Sequence, residues 1–88
     1  MAAVPGRRPV PRPGDVVFVG RAASVQFAGH NGFNFRIIRV DDKATYEGWL
    51  WLDGYQLGPH GEAIERRTIF VQVAGLRPAR PVTPRGPS

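Results

Sequence analysis

The chain has 88 residues, no cysteine and a formal charge of +5. That length bounds it to one small domain with a modest core, and the missing cysteine excludes a disulfide framework and a thiolate metal site. No apolar run approaches the roughly 18 residues of a membrane span, and the N-terminus lacks the apolar segment of a secretory signal, so the expectation is a cytoplasmic protein that is not embedded in a membrane.

Charge and proline are unevenly distributed. Residues 1–13 hold Arg7, Arg8 and Arg12, residues 77–88 hold Arg77, Arg80 and Arg85, and neither stretch contains an acid. Eight of the nine prolines also fall there. Both ends therefore read as disordered, basic, proline-rich arms around a nearly neutral body at residues 14–76. In the C-terminal arm Pro78, Pro81, Pro84 and Pro87 recur every third residue. A polyproline II helix has three residues per turn, so they would share one edge, with Arg77 and Arg80 on a neighbouring one.

Strand-like runs, rich in β-branched and aromatic residues, are predicted at 15–19, 24–27, 33–40, 46–57 and 66–73. Asn31-Gly32 suits a tight hairpin, "DDKAT" at 41–45 is a hairpin-sized polar loop, and "GPHG" at 58–61 is the clearest reversal. Five short antiparallel strands make an all-β meander, and curling such a sheet into a small, partly open barrel limits its exposed edges. "PGDVVFVG" at 13–20 resembles the opening strand of SH3-like barrels, including those of translation and transcription factors. The resemblance implies an SH3-like barrel. The body also resembles small actinobacterial proteins, a similarity that implies no activity.

Strand pairing can be tested by arithmetic. A two-residue turn at Pro59-His60 pairs Trp49 with Phe70, Trp51 with Thr68, Asp53 with Arg66 and Tyr55 with Ile64, and places Leu50 opposite Ile69. The hairpin before it decides which face is buried, because a one-residue slip reverses every side chain. With a four-residue loop at Asp42 to Thr45, Ile37 lies beside Leu50 and Phe35 beside Leu52. The core is then Phe33, Phe35, Ile37, Leu50, Leu52, Ile69, Val71 and Val73, and the outer face carries Arg36, Ile38, Trp49, Trp51, Asp53, Arg66, Thr68 and Phe70. A three-residue loop turns the tryptophans inward. The first register is preferred because its inner face contains no charge.

Catalytic constellations are poor. His30 and His60 sit among glycines in predicted turns, no cluster has metal-ligand spacing, and "GRAAS" at 20–24 lacks the pattern of a phosphate-binding loop. The expectation is a non-enzymatic binding module without a cofactor. Its candidate contact residues are Trp49, Trp51, Phe70, Arg36, Arg66 and Tyr55, joined by the arm arginines Arg7, Arg8, Arg12, Arg77, Arg80 and Arg85. Flat rings beside arginines suit single-stranded nucleic acid, with bases stacked and phosphates paired. The alternative partner is a protein or peptide docked on an aromatic groove. Ile38 and Phe70 on the same face would also suit a homodimer contact.

Overall fold

The computed structural model describes residues 11–41 and 47–82. Residues 1–10, with Arg7 and Arg8, residues 83–88, with Arg85, and residues 42–46, where the loop parity is expected to be decided, lie outside the described residues.

Five strands form one antiparallel sheet: β1 (Val16–Val19), β2 (Phe33–Asp41), β3 (Trp49–Leu57), β4 (Ala63–Gln72) and β5 (Arg77–Pro78). The strands lie in the order β4-β3-β2-β1-β5, so the chain meanders through β4 and then returns to pair β5 with β1. Short 3₁₀ turns at Val25–Phe27, Gly29–Asn31 and Val73–Gly75 complete the regular structure. The sheet curls without closing. The Gln72 N–H donates to the Ala23 carbonyl, which ties the end of β4 to the connection between β1 and β2. No helix among the described residues is long and apolar enough to cross a membrane.

Two elements differ from expectation in that connection. The strand predicted at Ser24–Phe27 is a 3₁₀ turn, with Ala23 and Phe27 buried and Val25 77% exposed. A strand would have turned all three to one side, whereas a helical turn carries positions four apart inward and leaves the middle one out. The Ala23 and Ser24 N–H groups both donate to the Gly20 carbonyl, which starts this tight path. Nor do Asn31 and Gly32 form a two-residue hairpin: Gly32 has φ −76° and ends a 3₁₀ turn. β1 and β2 still pair, from Val16 with Arg36 to Val19 with Phe33, across the intervening excursion.

The β2–β3 ladder has the expected faces in a different register. Ile37 is opposite Gly54 and Phe35 opposite Gln56, not Leu50 and Leu52. Asp41 is opposite Trp51, not position 46, and the register shifts between Ile37 and Arg39. The bulge leaves Ile38 unpaired and sends both Ile37 and Val40 inward, which strict alternation forbids. Gly54 permits it, because a Cβ there would collide with the Arg36 carbonyl oxygen.

The β3–β4 hairpin is displaced by two residues from the arithmetic pairing: Trp51 faces Phe70, Asp53 faces Thr68, Tyr55 faces Arg66 and Trp49 faces Gln72. Favoured two-residue hairpin turns need a positive φ at the first turn residue, and the Pro59 ring fixes φ near −65°. The chain instead makes a three-residue loop in which the Gly61 N–H donates to Gly58 and the Gly58 N–H to Glu62, with Gly61 at φ +84°. That moves the register by one. A bulge between Leu57–Ala63 and Gln56–Glu65 leaves out Ile64 and moves it by one more. Two single shifts restore the parity, so every side chain returns to the face assigned by the simpler turn.

The core is assembled from Val19, Phe33, Phe35, Ile37, Leu52, Ile69 and Val71 of the sheet, with Ala23, Phe27 and Leu76 closing its open side. Leu50, Val17 and Val40 pack against it, and Val73, expected inside, is half-buried. Among the described residues no polar or charged side chain is buried. Apolar area is therefore the main stabiliser, at roughly 1.5–3 kcal/mol for each large side chain removed from water. At the N-terminal end Pro11 is buried, and the Gly14 N–H donates to the Ile37 carbonyl at 2.7 Å, which anchors the chain beside the β2 bulge.

Candidate binding faces

The alternation that buries Leu52 and turns Leu50 against the core sends Trp49, Trp51, Asp53 and Tyr55 of β3 outward. Phe70, opposite Trp51 and diagonal to Trp49, meets both indoles: its ring stacks on Trp49 at 5.1 Å and 24°, and lies 4.9 Å from Trp51 at 38°. Such pairs contribute about 0.5–1.5 kcal/mol beyond their buried area. Trp51 is the most open of the three, 41% exposed.

Next along the same face lie the charges. Arg66, diagonal to Asp53, donates from Nε to Oδ1 at 3.2 Å and from Nη2 to Oδ2 at 2.9 Å, a two-pronged pair. This hydrogen bonding, with the charge behind it, holds the Asp53 carboxyl below the usual carboxylate range. The same contact raises Arg66, with a smaller contribution from Tyr55. Arg39 faces Asp53 across the β2–β3 ladder and reaches to 4.0 Å from Asp41. Arg36, opposite Tyr55, is exposed and has no ion pair among the described residues. The structure thus brings together all six expected face residues, Trp49, Trp51, Phe70, Arg36, Arg66 and Tyr55, and adds Arg39, which the bulge at Ile38 returns to the outer side.

The described arm arginines do not join this cluster. Arg12 lies in the turn where its N–H donates to the Asp15 carboxylate. Arg77 donates to the Ala74 and Leu76 carbonyls. Arg80 covers the Phe18 ring, its guanidinium carbon 3.8 Å from the centroid. Arg67, next to Arg66 but pointing to the other side, lies over Phe27 and Phe33 at 5.4 and 5.3 Å and donates to Gln56. Strand parity alone could have marked Arg67 as the inward partner of the Arg66–Arg67 pair. Nothing in the pattern of residues pointed to Phe18 or Asn34.

His30 borders an open, polar cleft of about 340 Å³ together with Gln26, Asn31, Gln56 and Arg67. His60 is exposed on the β3–β4 turn, where its N–H meets the Glu62 carboxylate. Among the described residues, no three His, Asp or Glu side chains are grouped as metal ligands would be.

Comparison of the chain with protein-family models, with curated proteins and with solved structures yields no match. The described residues form an all-β domain with a partly open, barrel-like sheet.

Proposed function

We propose that this is a cytoplasmic, non-enzymatic binding module on a small SH3-like barrel, and that the outer face of β2, β3 and β4 contacts single-stranded nucleic acid. The SH3-like assignment is supported by the return of β5 to β1 after a 3₁₀ turn and by the long β1–β2 connection folded against the end of β4. One observation carries the ligand: Trp51 is open to solvent at the end of an aromatic stack that shares its face with Arg36 and Arg39. A base stacks on the indole, and the two guanidiniums lie on the neighbouring strand for phosphate.

A specific observation also favours a protein partner. Asp53 already occupies Arg66, and Phe70 holds both indoles, so part of the face is nearly neutral and apolar. Salt separates the two readings. In a gel-shift titration with single-stranded DNA and RNA, two phosphate contacts predict about a sevenfold loss of affinity between 50 and 200 mM salt. Trp51→Ala should remove one stacked base, about 1–3 kcal/mol. Absence of any shift at 50 mM salt would overturn the nucleic-acid reading and leave the protein partner.

A further inference from the structure

Phe18 of β1, Asn34 of β2 and Leu57 of β3 are register neighbours and form one row across three strands. The C-terminal segment lies over that row. The Asn34 side-chain amide makes both hydrogen bonds a peptide group can exchange with the Arg80 backbone: Nδ2 donates to the Arg80 carbonyl at 2.8 Å, and the Arg80 N–H donates to Oδ1 at 2.9 Å. On one side the Arg80 guanidinium covers Phe18. On the other, Pro81 and Val82 line a cleft of about 390 Å³ with Leu57, Pro59 and Ile64. Leu57 is only 6% exposed although it does not belong to the core cluster.

These contacts divide into three kinds of recognition. Asn34 reads backbone alone, accepting any extended residue that keeps its N–H. Phe18 selects a cation, and its ring rests on a floor without side chains: a Cβ on Gly20 or Gly32 would come within 2.6 or 2.8 Å of it. The Leu57 end takes an apolar residue, and proline in that place also biases the preceding arginine towards extended backbone. The row therefore matches a segment in which an arginine with a free N–H is followed by proline and an aliphatic residue. Arg80–Val82 is such a segment, held at the surface, with Val82 still 49% exposed.

We propose that the Phe18–Asn34–Leu57 row is a recognition site for an extended arginine–proline segment of a partner protein, and that Arg80–Val82 is a self-ligand which that segment displaces. The self-ligand is tethered one residue beyond β5, which gives it an effective concentration of the order of millimolar. An external segment with a dissociation constant of about 0.1 mM for the vacant site is thereby weakened about tenfold. The row lies on the same outer side of the sheet as the tryptophans, one row beyond Arg36 and Tyr55, and its assignment does not rest on the nucleic-acid reading.

The test uses the full chain. Arg80→Pro removes both the guanidinium and the N–H that Asn34 accepts, and so empties the row without shortening the protein. Arg80→Ala is the milder companion should the proline disturb folding. A synthetic peptide of sequence LRPARPVTP is titrated into each ¹⁵N-labelled protein while the amide signals of Phe18, Asn34 and Leu57 are followed. Expected are shifts in both variants, with affinity about tenfold tighter for Arg80→Pro than for the unmodified chain. Binding should vanish when alanine replaces the peptide's central arginine, or when Asn34→Ala is added with the Phe35 and Leu52 signals unchanged. Equal affinity for all proteins, or no shifts in either variant while its core signals are native, would overturn the proposal. So would a concentration-dependent dimer in sedimentation with the arms exchanged, because the partner would then be a second copy of this chain.

Discussion

Asp53 and Arg66 show how a surface pair acquires a pH signature. Because Arg66 hydrogen bonds hold the Asp53 carboxyl below its ordinary range, that group protonates at lower pH in the folded chain than in the unfolded one, where its value is about 3.9. The contribution to stability is complete above the unfolded value and is lost as pH falls through the folded one. Asp53→Asn should therefore narrow its stability gap to the unmodified protein as thermal melts, followed by circular dichroism, move from pH 6 to pH 2. A gap that stays constant would show that the carboxylate contributes nothing through its charge. The effect is small, since Arg66 is largely solvated and exposed pairs are weak. Its value lies in orientation: the paired hydrogen bonds hold Arg66 across to Asp53 on β3, whereas Arg36 on β2 has no ion pair among the described residues.

At the scale of elements, the β3–β4 hairpin depends on its loop glycine. Gly61→Ala forces a side chain into φ +84° and should cost about 1 kcal/mol. For a domain of this size that lowers the melting temperature by about 4–8 °C, readable by calorimetry. The same hairpin explains what was legible in the sequence. Its faces were, because Leu52, Ile69 and Val71 alternate with Trp51, Thr68 and Phe70, and burial enforces that alternation whatever the pairing. The register was not, since it depends on where a turn tightens and where a strand bulges, here at Pro59 and Ile64. Ser24–Phe27 failed for a related reason: four residues are too few for period two to be told from a single helical turn. Among site residues, Trp49, Trp51, Phe70, Arg36, Arg66 and Tyr55 were readable as a face. Asn34 was not, because its role comes from a backbone contact 46 positions away.

Across the whole molecule, the sheet is completed from its C-terminal end. Leu76 joins the core and β5 covers the free side of β1, so a chain terminated after Gly75 loses a buried leucine and bares a strand edge. The expected cost is about 3 kcal/mol, a melting temperature lower by more than 10 °C, and a stronger tendency to associate, measured by calorimetry and light scattering. Among the described residues the molecule's interior aromatics are all phenylalanines, Phe27, Phe33 and Phe35, while both tryptophans stand on the outer face with Phe70. Its intrinsic ultraviolet emission is therefore a gauge of the β2–β4 surface and not of the core. A ligand that covers Trp51 announces itself in colour and intensity with no dye attached, and loss of the packed interior is to be followed by some other signal.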